Sequence, residues 1–310
     1  MLAVWGAAAV AFGQNDLRIT DLGNPLQGGL ALDANTNWQV FAKQMGAALT
    51  SVNLTPPETV GHAAWALSVE LGVVYLNGVT PVDADADGAP DPLNADQFHM
   101  PTLGAGFQSR APLLMPSVHF RKGLPFSFEF GTRVAWLDKS SMFAGSWEIK
   151  WAVNEGFAYL PDVGLRIHGN KLFNTENFEV GAGGLDIGVG KQFAIGGMVT
   201  LTPYGGWNLV FVGAETGKPL DFDPTRSYAD SISTVDAMDQ GTVAYDPIKM
   251  FQANSAHNRF YAGVRFVGGI VQIAVEGSFS AMGQIPLRST TGNRAVPGLG
   301  VLSVTAGLDY

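Results

Sequence analysis

Apolar residues occupy every second position along most of the chain from residue 60 onward. The stretch from Trp65 to Tyr75 shows the pattern, because its large apolar residues alternate with small or polar ones such as Ser68 and Glu70. A period of two predicts β-strands with one apolar face. We predict eleven strands on this basis, at residues 65–75, 113–121, 126–136, 143–153, 160–169, 178–190, 192–204, 206–214, 258–267, 269–281 and 300–310.

The face opposite the apolar one carries isolated ionisable residues. They are Glu70, Glu129, Arg133, Glu148, Lys150, Arg166, His168, Asp186, Arg265 and Glu276. Apolar and aromatic side chains on one face, with charges on the other, are typical of a membrane β-barrel, in which the first face meets lipid and the second lines the lumen. A soluble β-sandwich or a lipocalin-like barrel also alternates, but so many apolar faces suit a finite core poorly.

These strands predict the fold class, an all-β, antiparallel transmembrane β-barrel over residues 58–310. Because bacterial single-chain barrels usually have an even number of strands, we expect about twelve, within a range of about 10–14. The twelfth strand would lie in residues 98–110 or 241–252.

A different period precedes the strands, in the N-terminal segment 14–57. Thr36 and Gln39 have the spacing of a capping box, which marks the start of a helix. Apolar residues then recur on one helical face, at Trp38, Phe41, Ala42, Met45, Ala48 and Leu49. We therefore predict one amphipathic helix over residues 36–50. It has two candidate roles, as a cap packed against the periplasmic end of the barrel or as a plug inside the lumen.

The composition favours a membrane barrel over other classes. Charged residues make up 15% of the 310 residues, against a usual share of about 25%, whereas apolar residues make up 46%. Apolar residues are never gathered into a run long enough for a membrane helix. The absence of cysteine excludes disulfides and thiolate chemistry, and the net charge of -9 argues against nucleic-acid partners.

Residues 1–13 contain a short apolar run, from Leu2 to Phe12, that ends in small residues near Gly13. This spacing predicts the remnant of a secretory signal peptide. The basic residues that usually precede such a run are missing, so a buried apolar segment is the alternative interpretation.

Two connections between strands are long, at residues 77–97 and 215–257. The first contains Asp83, Asp85, Asp87 and Asp91, with the alternating carboxylates and the glycine that a calcium-binding loop uses. It thus predicts Ca²⁺ as a candidate ligand, with a solvated acidic loop as the alternative. The second connection is also acidic and is expected to be an external loop.

Candidate catalytic groups are sparse. The five histidines occur singly, without the spacing of a metal-binding helix, and the chain has no Gly-x-Ser-x-Gly turn. We therefore predict no catalytic residues, no bound organic cofactor and no enzymatic activity, with a triad assembled only by the fold as the alternative.

The last strand ends on an aromatic residue that follows apolar residues at alternate positions, namely Leu302, Val304, Leu308 and Tyr310. This ending resembles the C-terminal signature of Gram-negative outer-membrane β-barrel proteins, including porin-like transporters. The resemblance implies an outer-membrane location, recognition of the last strand by the barrel assembly machinery, and pairing of that strand with the first. The lipid bilayer and this machinery are the expected partners.

Two functions fit these predictions. The first is a passive channel or transporter for small solutes or hydrophobic compounds, with the lumen charges lining water and setting selectivity. The alternative is a structural, scaffold or adhesion barrel of a cell-envelope assembly without transport activity. For the lumen charges themselves, the alternative to lining water is that they pair with one another and fill a narrow interior. Long loops with exposed apolar patches would favour the scaffold. An open polar lumen would favour the channel.

Overall fold

The computed structural model describes residues 30–50, 52–75, 112–138, 140–157, 159–175, 178–196, 199–216, 253–286 and 293–310. It contains one helix, α1 (Leu30–Leu49). The strands are β1 (Trp65–Tyr75), β2 (Leu113–Leu124), β3 (Phe128–Trp136), β4 (Phe143–Asn154), β5 (Asp162–Phe173), β6 (Phe178–Gly190), β7 (Phe193–Ile195), β8 (Val199–Thr216), β9 (Ala253–Gly268), β10 (Val271–Ala281), β11 (Gln284–Pro286), β12 (Asn293–Ala295) and β13 (Leu299–Asp309).

Ten of these strands form a closed antiparallel barrel. Their order is β1, β2, β3, β4, β5, β6, β8, β9, β10 and β13, and β13 pairs with β1 to complete the ring. The all-β antiparallel barrel predicted from the sequence is therefore confirmed. Its ring has ten strands where about twelve were expected. Because each strand already has two hydrogen-bonded neighbours, the ring has no place for another strand.

The difference in strand number arises at β7 and β8. The sequence pattern predicted separate strands at 192–204 and 206–214, with the break at Gly205, next to Gly206. In the structure both glycines lie within β8, where they pair with Ala262 and Tyr261 of β9. The turn lies earlier, at Gly196, whose φ of 59° is easily adopted by glycine. The short strand β7 pairs with the start of β8 and lies outside the closed ring.

The barrel has two different ends, which we call the loop end and the turn end. At the loop end, β1 connects to β2 and β8 connects to β9 through the long segments found in the sequence. At the turn end, connections such as residues 125–127 are short. β1 begins and β13 ends at the turn end, where Ala66 pairs with Asp309.

The outer surface of the barrel is an apolar belt. Aliphatic side chains in its middle, such as Val69 and Ile167, are 63% and 53% exposed. Aromatic side chains flank them towards both ends. At the loop end they include Trp136 and stacked Phe143 and Phe173, and at the turn end Trp65, Tyr310, and stacked Phe128 and Trp151. A surface of this kind fits a bilayer, because the rings can occupy the two interfaces and the aliphatic groups the hydrocarbon.

The helix α1 is longer than predicted. It begins at Leu30, six residues before the predicted cap at Thr36. Residues with high helix propensity, including Leu30, Ala31, Leu32 and Ala34, extend it in the N-terminal direction. Among the described residues, no helix combines the length and apolar character needed to cross a membrane.

Candidate functional site: the occupied lumen

The inner wall of the barrel has two zones with different side chains. Near the loop end it is lined by small and aliphatic residues, among them Ala135, Ala144, Val180, Ala214, Ala253 and Val301. Towards the turn end it is lined by long charged side chains, among them Glu129, Lys150, Arg166 and Glu276. Strand spacing and tilt give a ten-stranded barrel a backbone radius of roughly 10 Å, so small side chains leave room for a helix about 10–12 Å across.

The C-terminal part of α1 occupies the zone of small residues. Val40, Phe41 and Met45 are fully buried and belong to one apolar cluster with the wall. The Phe41 ring meets that of Phe178 edge to face, with centroids 5.7 Å apart. Gly46 approaches β8 so closely that a Cβ there would lie 2.3 Å from a methyl of Val212. The helix is therefore inside the barrel and not at its periplasmic end.

The C-terminal end of α1 is capped by wall side chains. Arg259 of β9 donates to the carbonyl of Thr50 over 3.0 Å and to that of Ala47. Asn170 of β5 donates to the carbonyl of Leu49 over 2.8 Å. These carbonyls lack partners within the helix, and a cation beside them is favoured by the helix dipole. The wall thus fixes the point at which the helix ends and the extended chain begins.

The chain then runs through the charged zone, and its first contacts are in the middle of the barrel. The Val52 carbonyl accepts hydrogen bonds from Arg133 over 3.0 Å and Arg166 over 3.5 Å. The next two backbone N–H groups, of Asn53 and Leu54, donate to the two carboxylate oxygens of Glu276 over 3.2 and 2.8 Å. Leu54 has a φ of 50°, and left-handed residues allow consecutive N–H groups to face one anion.

The contacts continue to the turn end. Lys150 donates to the Pro56 carbonyl over 3.3 Å, and the Val60 N–H donates to Glu129 over 2.8 Å. Pro57 lies against Gly164 of β5, where a Cβ would come within 2.8 Å of the Pro57 carbonyl oxygen. We call residues 39–64 the lumen segment. It enters the described part of the barrel from the loop end and leaves at the turn end, next to β1.

The wall charges also bind one another. Glu70 contacts Arg133 over 2.6 Å and His119 over 2.9 Å. Arg166 bridges two carboxylates, with Glu148 at 2.8 Å and Asp186 at 2.9 Å. The buried ionisable side chains of the strands, histidine aside, comprise six cations and six carboxylates: Arg121, Arg133, Lys150, Arg166, Arg259 and Arg265, with Glu70, Glu129, Glu148, Asp162, Asp186 and Glu276. Partnering of this kind is what buried charges require.

All ten ionisable residues assigned to the lumen from the sequence are buried in the barrel interior. Nine of them form ion pairs or hydrogen bonds with charged or backbone groups described above or, for Arg265, with Glu58. His168 instead lies 2.9 Å from the Asn208 side chain. The structure therefore contains the paired arrangement, and a water-lined wall would require the lumen segment to leave.

Sequence reasoning missed several groups that hold the lumen segment. Arg259, Tyr204 and Tyr261 lie on the same strand face as predicted lumen residues, so the period of two could have included them. Tyr204 donates to Glu276 over 3.1 Å, and Tyr261 donates to Asp186 over 2.6 Å. No sequence pattern predicted the hydrogen bonds made by the backbone of residues 52–60, because their partners are side chains of strands that are distant in the sequence.

Several predictions fall outside the described residues. The signal-like segment 1–13, the acidic residues Asp83, Asp85, Asp87 and Asp91, and the stretches 98–110 and 241–252 belong to this group. The predicted loop 215–257 is shorter at both ends, since β8 extends to Thr216 and β9 begins at Ala253. Within the described part of the chain, no group of three metal-ligating side chains is placed to bind an ion.

Comparison with known proteins yields no matching family model and no similar curated protein. Solved structures with a similar fold include the outer membrane protease OmpT from Escherichia coli, with 11% identity, a TM-score of 0.30, and coverage of 84% of this chain and 99% of that one. Neisserial surface protein A has 10% identity, a TM-score of 0.30, and coverage of 79% and 97%. The attachment invasion locus protein Ail of Yersinia pestis has 8% identity, a TM-score of 0.27, and coverage of 81% and 100%.

The fold and these comparisons bear on two predictions from the sequence. The fold that the resemblance to outer-membrane β-barrel proteins implied is confirmed by this chain's own structure, which is a closed antiparallel barrel with an apolar outer surface. The prediction of no enzymatic activity, made from the lack of catalytic motifs, is corrected, because an outer membrane protease is among these structures. Its apolar belt and aromatic borders give this chain the outer surface of a transmembrane β-barrel.

Proposed function

We propose that this protein is an outer-membrane channel whose lumen is closed by its own residues 39–64, and that solutes pass when this lumen segment moves. The observation that supports the proposal is the charged zone of the wall. A barrel that needs only a packed interior can be filled with apolar side chains, which avoids the cost of removing charges from water. Here the wall holds the segment with polar contacts that water can replace.

Each zone of the wall holds a different part of the lumen segment in the closed barrel. The apolar contacts around Phe41 and Met45 hold α1 against the small wall residues. The hydrogen bonds from Arg133, Glu276 and Lys150 hold the extended part of the segment. If the segment leaves, these side chains can be hydrated, and the wall becomes the polar lining of a pore.

Removal of residues 14–57 tests this function. We expect the full chain to be silent in a planar bilayer for most of the recording, and the shortened chain to show steady conductance. Because the wall has equal numbers of buried cations and carboxylates, the shortened chain should discriminate weakly between K⁺ and Cl⁻. Heat-modifiable migration in gels should show that the shortened barrel is folded. Folded barrels without conductance would contradict the channel function.

A further inference from the structure

The wall recognises the lumen segment mainly through its backbone. Carboxylates accept from N–H groups, with Glu276 at Asn53 and Leu54 and Glu129 at Val60. Cationic side chains donate to carbonyl groups, with Lys150 at Pro56. Arg133 and Arg166 do the same at the Val52 carbonyl. Every peptide offers these backbone groups, except for the N–H that proline lacks.

Side-chain contacts of the extended part are fewer. The amide of Asn53 donates to Tyr261 over 3.2 Å, and Lys150 donates to the Thr55 hydroxyl over 3.4 Å. The Thr59 hydroxyl lies 3.2 Å from Glu155. Only the Asn53–Tyr261 bond joins two neutral groups, which contributes less than a bond to a charged partner, whereas Thr55, Thr59 and Glu58 meet the charged groups of Lys150, Glu155 and Arg265. The backbone contacts outnumber these side-chain contacts. Recognition therefore depends mostly on the path and polarity of the backbone.

We infer that the emptied lumen binds an extended polypeptide, so that peptides are the class of ligand that takes the place of the lumen segment. This inference rests on the proposed function, because the segment must first leave. The balance of six cations and six carboxylates supports it, since a neutral backbone with alternating donors and acceptors matches such a wall.

The test uses the full chain with a protease cleavage sequence inserted between Gly61 and His62, in the exposed turn before β1. After cutting, the lumen segment stays in the barrel only through its contacts. A fluorescent synthetic peptide of residues 47–61 is then added, and its binding is measured by anisotropy. A second peptide carries alanine in place of Asn53, Thr55 and Thr59, a third carries an N-methyl group on Leu54, and a fourth carries it on Val52 as the control.

We expect the native peptide to replace the cut segment and the alanine peptide to bind within about fivefold of it. The peptide with N-methyl-Leu54 should bind at least about tenfold more weakly, because it lacks a hydrogen bond to the charged Glu276. The Val52 control should bind like the native peptide.

Two results would overturn the inference in different ways. If the native peptide exchanges but the alanine peptide binds more than tenfold more weakly and the N-methyl group on Leu54 has no effect, recognition depends on side chains. The inference that the lumen recognises any peptide backbone then fails. The proposed function is still supported, because exchange of the native peptide shows that the lumen segment can leave the barrel. If the cut segment stays in the barrel and no peptide enters, both fail together.

Discussion

Replacing Glu276 with alanine should open the barrel. The carboxylate accepts from the N–H groups of Asn53 and Leu54 and from the hydroxyl of Tyr204. Its loss leaves two buried backbone donors without an acceptor in the closed state. At about 1.5 kcal/mol or more for each such bond, the closed state loses about 3 kcal/mol, and the open fraction should rise roughly 100-fold.

Single-channel recording measures this change as the fraction of time spent conducting. The matched control is Glu179→Ala, which removes a carboxylate that is half exposed on the outer surface and pairs with Lys171 over 2.7 Å. Exposed pairs contribute about 1 kcal/mol or less, so the control should behave like the unmodified chain. Equal open fractions for Glu276→Ala and the unmodified chain would show that Glu276 does not hold the segment.

Deleting Tyr310 should prevent most of the chain from assembling. The N–H of Tyr310 donates to the Trp65 carbonyl over 2.8 Å, and the N–H of Trp65 donates to Tyr310 over 2.7 Å. Their rings are 5.8 Å apart. This pair lies at the turn end of the β1–β13 junction, which closes the barrel. We propose that Tyr310 acts with Leu302, Val304 and Leu308 in assembly, and we expect the amount of folded barrel to fall.

Heat-modifiable migration of the membrane fraction measures assembly. Tyr310→Phe keeps the ring and both backbone bonds and should assemble normally. Tyr159→Ala removes an aromatic side chain that is 98% exposed near the same end, and it tests whether any such loss is harmful. Normal levels of folded barrel after deletion of Tyr310 would exclude a role in assembly.

The alternation along the chain was enough to predict the barrel and the direction of its side chains. A period of two fixes which residues share a face, so Glu70, Arg133 and Glu276 could be assigned to the interior before their partners were known. The same rule failed at Gly205, next to Gly206, where the pattern predicted a break between two strands. In the structure Gly206 makes room for Tyr261, since a Cβ there would lie 2.4 Å from the Tyr261 hydroxyl.

The occupied lumen was harder to predict. The helical pattern around Phe41 and Met45 indicated an amphipathic helix, but it could not show whether the helix lies inside the barrel or against its end. The inner wall of the barrel gave an indication, because the inward side chains near the long loops are small, as at Ala135 and Ala214, and leave room for a helix. The hydrogen bonds between Glu276 and the backbone at Asn53 join residues more than 200 positions apart, and no local pattern encodes them.

The central claim is that residues 39–64 close the lumen and must move for solutes to pass. A Cβ on Gly188 would lie 3.8 Å from the Pro57 Cβ, a separation that suits a disulfide once the Tyr261 hydroxyl shifts slightly. The chain has no other cysteine to interfere. The most direct measurement is therefore single-channel conductance of the Pro57→Cys, Gly188→Cys, Glu276→Ala variant, with reductant added during recording. We predict silence while the disulfide is intact and frequent openings after reduction. Openings of equal frequency before and after reduction would contradict the claim.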